Sequence, residues 1–243
     1  MTKSIISSNN DTFKLLKKLS EKKYREKEGL FIIEGEHLID EAIDKNIVVE
    51  IFEIGSSSKI LKYERTTLIT YELAKKVLDA QSPQSVFAVC KIVKNNIVLG
   101  DKIVFLDDLQ DPGNIGTIIR LCKSFDIDTL IVKNFDIYNP KCLRASQGSF
   151  FKTNIVQVDK YDELSKLMSK DFSIISTLLD KEATELKNFT FPKKSVLVLG
   201  NEGNGISQNA IDLSKHKVYI PISFESLNVA TCAAIILNKW RNE

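Results

Sequence analysis

From Lys102 onward the chain repeats one pattern: a short uninterrupted apolar run, then a longer segment with helical spacing or helix-capping residues. "KIVFLDDL" precedes "NIGTIIRLCKSF", "TLIVKN" precedes "NPKCLRASQG", and "TNIVQV", "DELSKLMSK", "FSIISTLL", "KSVLVLG", "SQNAIDLS", "KVYIPI" and "SLNVATCAAIILNKW" continue the alternation. A strand that is apolar on both faces must be covered on both, and alternating helices supply that cover. The pattern therefore predicts an α/β fold with a parallel sheet between layers of helix. Local signals agree. Asp111, Pro112 and Gly113 make a sharp turn with Asn114 as the expected cap of the next helix, and Asn139, Pro140 and Gly148 bracket another.

The preceding residues alternate too, in shorter pieces. "TFKLLKKLSEKKYREKEG" carries Phe13, Leu16 and Leu19 at helical spacing with Gly29 as a stop; "LFIIEG", "IVVEIFEI" and "SVFAVCKIV" read as strands. "EHLIDEAIDKN" and "TYELAKKVLDAQS" read as helices, the latter with Thr70 as its cap. The polar "KNNIVLGD" looks like a boundary, which gives two domains, 1–95 and 96–243. With 243 residues, 43% of them hydrophobic, the chain has material for one large core or two modest ones.

Composition removes several function classes. The cysteines, Cys90, Cys122, Cys142 and Cys232, are too far apart for a zinc pair or a compact disulfide framework. The two histidines, His37 and His216, have no neighbouring ligands in sequence, so no metal is expected. The N-terminus lacks an apolar h-region, and no run approaches the roughly 20 apolar residues of a spanning helix; a soluble, cytoplasmic protein is expected. The net charge of +2 hides a basic stripe: from Lys14 to Lys27 seven Lys or Arg face two Glu. Such a stripe is either a solvated helix face or a surface for a phosphate backbone.

Ligands of open parallel sheets bind beyond the carboxyl ends of the strands, and three loops follow such ends. The first, "DPGNIGTIIR", has neither the G-x-G-x-x-G of a dinucleotide site nor the lysine of a phosphate-binding P-loop. It does carry Asn114, and it projects Arg120 from an otherwise uncharged stretch of helix. The second, "LGNEGNGIS", packs Gly200, Gly203 and Gly205 around Asn201, Glu202 and Asn204, with Glu202 its one charge, a composition that lets backbone amides approach a ligand. The third, "PISFESLNVA", places Ser226 and Asn228 at a helix start. Each loop alone has an ordinary reading as a turn or a cap.

Together the three resemble the signature motifs of the SpoU/TrmH family of RNA ribose 2'-O-methyltransferases, part of the SPOUT class: "DPGNIGTIIR" is similar to motif 1, "VLGNEGNGIS" to motif 2 and "IPISFESLNVATCAA" to motif 3, in that order. The segment before them, through "EKEGLFIIEGEHLIDEAI", more weakly resembles the small L30e-like, ribosomal-protein-like RNA-binding domain of many members. The resemblance implies a SPOUT sheet with a C-terminal trefoil knot, S-adenosylmethionine as cofactor, and a homodimer whose sites are completed by the partner subunit. It implies that Leu199, Gly200, Ile220 and Leu227 line the cofactor pocket, with Thr177 beside them.

It further implies catalytic parts for Asn114, Arg120, Glu202, Ser226 and Asn228. Arg120 orients the ribose hydroxyl and stabilises developing charge; a guanidinium stays protonated beyond about pH 12, and the motif does not decide whether it also takes the proton. Arg144, Ser146 and Ser149 in "LRASQGSFF" resemble a segment near the active site, and Arg144 with Ser146 is expected at the RNA. The same holds for the stripe residues Lys17, Lys18, Lys22, Lys23 and Arg25. The front domain favours large-subunit ribosomal RNA as substrate. The alternatives are a tRNA methyltransferase, an antibiotic-resistance methyltransferase, and a non-catalytic RNA-binding assembly factor; the last predicts a broken motif 1 or 2, and both are intact.

Overall fold

The computed structural model describes residues 3–55, 63, 66–78, 80, 82–93, 98–161, 165, 171–178, 180, 182–223 and 225–243. The chain forms two compact units, one of residues 1–95 with 138–151 and the other of 96–137 with 152–243. Residues 94–97 of the boundary segment, and all of "DELSKLMSK" except Ser165, lie outside the described residues.

In the first unit β1 (Ser4–Ile5), α1 (Asp11–Lys18), α2 (Lys22–Glu28), β2 (Leu30–Glu34), α3 (Glu36–Asp44), β3 (Val48–Ile54), β4 (Thr66–Ile69), α4 (Tyr71–Leu78) and β5 (Val86–Lys91) build a mixed five-stranded sheet, order β1-β4-β3-β5-β2. Phe13, Leu16, Phe52 and Phe87 pack in one core cluster, and Phe31, Ile33, Ile39 and Ala88 in another. Fully burying each of these Phe, Leu and Ile side chains contributes roughly 1.5–3 kcal/mol. The single helix expected over 12–29 is two helices. Leu19 ends α1, Glu21 is extended (φ −99°, ψ 134°), and the Arg25 guanidinium donates to the Leu19 carbonyl at 2.7 Å across the break. The segment 138–151, with α6 (Pro140–Ser146), packs in this unit: Leu143 enters the core cluster, and the Phe31 ring lies 4.8 Å from that of Tyr138.

The second unit contains β6 (Lys102–Asp107), α5 (Pro112–Ser124), β7 (Thr129–Lys133), β8 (Ile155–Val158), β9 (Ser173–Thr177), β10 (Thr184–Glu185), β11 (Ser195–Gly200), α7 (Gln208–Leu213), β12 (His216–Tyr219) and α8 (Val229–Arg241). Its seven-stranded sheet is parallel throughout, order β10-β12-β9-β11-β6-β7-β8. The apolar runs are buried as their composition requires: Ile103, Phe105, Ile131 and Val196 are fully covered. Because β11 lies between β6 and β9, the carboxyl ends of β6, β11, β9 and β12 stand side by side, and all three motif loops leave from this row. Among the described residues no helix is long and apolar enough to cross a membrane.

Candidate active site

Helix α5 starts three residues earlier than the sequence suggests. Asp111, not Asn114, is the N-cap: its Oδ1 accepts the Asn114 amide at 2.7 Å, and Pro112 takes the first helical position, where its missing N–H costs nothing. This correction has a chemical consequence. Released from capping, the Asn114 side chain donates through Nδ2 to Glu202 Oε1 at 3.0 Å and accepts at Oδ1 from Asn228 Nδ2 at 2.9 Å. Asn228 in turn caps α8, its Oδ1 accepting the amides of Ala230 at 2.9 Å and Thr231 at 3.2 Å. One residue from each of motifs 1, 2 and 3 thus meets in a single hydrogen-bonded chain.

The two helices behind this chain run parallel. Asn114 and Asn228 join their starts; at their ends Arg241 donates to the Ser124 carbonyl at 2.8 Å and pairs with Asp126 at 3.0 Å. Both are 13 residues long, so both macrodipoles present their positive ends at Asn114 and Asn228, a field that favours negative charge there. Arg120 projects from α5 exposed, and its guanidinium has no hydrogen bond or ion pair among the described residues. Ser226 is likewise exposed, two positions before Asn228.

Loop 201–207 is tightly constrained. A Cβ at position 200 would stand 2.4 Å from the backbone of Gly205 and Ile206, so only glycine fits, and Gly205 occupies the left-handed region (φ 69°). Asn201 Oδ1 accepts the amides of Gly203 at 2.9 Å and Asn204 at 3.0 Å. The loop is anchored at both ends to the end of β6: Asn201 Nδ2 donates to the Asp108 carbonyl at 2.8 Å, and Ser207 donates to Asp107 Oδ2 through N at 2.9 Å and Oγ at 2.6 Å. Of these anchoring residues, sequence singles out Asn201 but not Asp107, Asp108 or Ser207. The available signal was two consecutive carboxylates closing an apolar strand.

Thr177, Leu199, Gly200 and Ile220 lie at or just beyond the carboxyl ends of β9, β11 and β12. Thr177 spends its hydroxyl on the Val198 carbonyl at 3.0 Å, and Leu199 is buried, so these positions offer backbone rather than polar side chains. Nearby in sequence, Ile222 and Leu227 leave 36% and 37% of their surface uncovered. Among the described residues no group of His, Cys, Asp and Glu could hold a metal ion.

The residues expected at RNA divide. Lys17, Lys18, Lys22 and Lys23 are exposed on α1 and α2; Lys22 and Lys23 pair with Glu26 (3.6 Å) and Glu21 (3.0 Å), and Lys18 and Lys23 flank the Tyr24 ring. Arg25 is only 3% exposed and serves the α1–α2 break, so it is not a phosphate contact. Ser146 is fully buried, donating to the Leu143 carbonyl at 2.7 Å, and is no surface contact either. Arg144 is half-exposed and pairs at 3.2 Å with Glu34, whose other oxygen accepts the Gln84 amide at 2.8 Å. Arg144, Ser146 and the lysines all belong to the first unit.

Residues 101–238 match the family model described as the SpoU rRNA Methylase family, and residues 10–88 match that of the MRM3-like substrate binding domain. The 23S rRNA (guanosine(2553)-2'-O)-methyltransferase RlmP of Bacillus subtilis is 31% identical, covering 98% of this chain and 99% of its own. A tRNA (guanosine(18)-2'-O)-methyltransferase of Aquifex aeolicus is 30% identical over 56% of this chain and 67% of its own. The crystal structure of the SpoU methyltransferase AviRb from Streptomyces viridochromogenes in complex with the cofactor AdoMet superposes with a TM-score of 0.84 at 26% identity, covering 96% of this chain and 97% of that one. Motif order, sheet topology and these matches agree: the chain belongs to the SpoU rRNA methylase family.

Proposed function

We propose that this protein transfers a methyl group from S-adenosylmethionine to a ribose 2'-hydroxyl of RNA, in large-subunit ribosomal RNA. The observation that carries the reading is the Asn114–Glu202–Asn228 chain, which ties the three motif loops together; Arg120 is exposed further along the same α5. The choice of ribosomal RNA rests on the Bacillus relative, which matches over both units, whereas the tRNA enzyme aligns with little more than half of the chain. The cofactor is drawn from the AdoMet complex of the Streptomyces structure. Gly200, Ile220 and Leu227, with the Leu199 backbone and Thr177 next to them, would hold it.

The cofactor supplies a methyl carbon already activated by a sulfonium. What the protein must add is alignment of the 2'-oxygen and help in losing its proton. Arg120, a permanent cation with donors in a rigid fork, binds the hydroxyl and its neighbouring phosphate and stabilises the oxyanion as it forms. The paired helix starts add positive potential at Asn114 and Asn228. Glu202 holds Asn114, Asn114 and Asn228 fix the relative position of the two helices, and Ser226 offers a hydroxyl to the phosphate. A homodimer, a knotted passage of the C-terminal segment and action in the cytoplasm belong to the same proposal; Ile235, 41% exposed on α8, is consistent with a partner covering that helix.

Calorimetric titration of the purified protein with S-adenosylhomocysteine, with NAD as control, tests this. Saturable binding of the first alone, lost in Leu227→Arg, is expected. A folded protein that binds neither, even with RNA added, moves the non-catalytic RNA-binding reading to the front.

A further inference from the structure

Beneath the site lies a buried polar cluster with no direct part in the chemistry above. Lys133, the last residue of β7, is 5% exposed and Asp107 1% exposed. The Lys133 ammonium bonds the Asp108 carboxylate, stands 3.9 Å from Asp107 Oδ1 and lies 4.3 Å over the Tyr161 ring. The Tyr161 hydroxyl donates to Asp107 and lies against the Ser207 hydroxyl. Asn134 Nδ2 donates to Asp108 Oδ1 at 2.7 Å.

We propose that Lys133 is a positioning residue for methyl transfer, a role that rests on the function proposed above. Two adjacent carboxylates at the end of a covered strand repel each other, and burial raises the cost of charge on Asp107; a cation in reach of both offsets these costs. Asp108 also holds a left-handed backbone (φ 58°), a conformation that persists in a non-glycine residue only when its surroundings enforce it. Lys133 and Asn134 enforce it through the Asp108 side chain. That turn presents the Asp108 carbonyl to Asn201, and Asp107 takes both donors of Ser207. Loop 201–207 is therefore hung at both ends from a turn that Lys133 fixes. Glu202, next to Asn201, meets Asn114 only if the loop sits there. A displacement of about 1 Å at such a contact is enough to cost about 10²-fold in rate.

The test uses the full chain, Lys133→Met, and the double variant Lys133→Met with Asp108→Asn, which keeps the cluster's net charge. Circular dichroism and thermal midpoint report folding, and amide hydrogen exchange of residues 201–207 reports the loop. In the folded variants loop exchange rises by about tenfold or more while that of α8 is unchanged. Turnover falls by about 10²-fold, with KM for RNA unchanged, in the double variant as well, although its midpoint returns close to that of the parent. A double variant that recovers full turnover, or loop exchange at the parent rate, overturns the proposal and leaves Lys133 a stabilising residue only. Should the parent protein transfer no methyl to RNA, the function falls, and the exchange measurement still decides whether Lys133 holds the loop.

Discussion

At Asn114 one amide group does what neither a cap nor a surface residue would do: it donates to Glu202 and accepts from Asn228, satisfying both halves of the side chain. Alanine at this position leaves both partners without their bond while the Asp111 cap of α5 is untouched. Asn114→Ala is expected to lower the single-turnover methylation rate by about 10²-fold, with S-adenosylhomocysteine binding within a few-fold of the parent. Equal losses of rate and binding would show that Asn114 supports the cofactor pocket instead. Gly200 gives the opposite split. Even a methyl group there meets backbone at 2.4 Å, so Gly200→Ala must displace the 205–206 turn. Calorimetry is expected to find cofactor binding weakened by at least about tenfold, about 1.4 kcal/mol, and unchanged affinity would contradict the close approach.

Among elements, α1 and α2 offer their exposed lysines to a phosphate backbone. Replacing Lys17, Lys18, Lys22 and Lys23 with Gln removes up to four cations, and each phosphate contact contributes about 0.7–0.9 to the slope of log affinity against log salt. A weaker salt dependence and a raised KM for RNA are expected, with kcat unchanged; an unaltered KM would return the stripe to a solvated face. These helices also show what the sequence could and could not tell. Phe13, Leu16 and Leu19 mark a buried face correctly, but that spacing is blind to the break at Leu19–Glu21, which Arg25 bridges by donating from its buried guanidinium to the Leu19 carbonyl. The apolar runs of β6, β7 and β11 were legible because burial on both faces leaves no alternative. The two-residue strands β1 and β10 carry too few side chains to have a period. The motif residues were legible through their resemblance; the carboxylates and the lysine beneath them were not, because what pairs Lys133 with Asp107 is the adjacency of β6 and β7 in the folded sheet.

For the whole molecule, the thiols set an alkaline limit. Burial pushes Cys232 up to about 11 and Cys90 up to about 12 from an ordinary value of 9.0, and raises Cys122 as well. The unfolded chain releases these protons near pH 9 and the folded one only two or more units higher, so between those values the unfolded state binds fewer protons and stability falls as pH rises. Each thiol contributes about 1.4 kcal/mol of loss per pH unit in that window. The thermal midpoint is expected to be flat from pH 7 to 8.5 with respect to these groups and to drop from pH 9 to 11, and Cys232→Ala should lessen the drop. A midpoint that holds through pH 11 would contradict the burial. The central claim, methyl transfer to a ribose oxygen guided by Arg120, is tested most directly by incubating the protein with methyl-labelled S-adenosylmethionine and large-subunit ribosomal RNA, then hydrolysing the RNA in alkali. Alkaline cleavage needs a free 2'-hydroxyl, so the account predicts label in alkali-resistant dinucleotides, and none with Arg120→Ala. Label in mononucleotides, or undiminished label from the Arg120 variant, would contradict it.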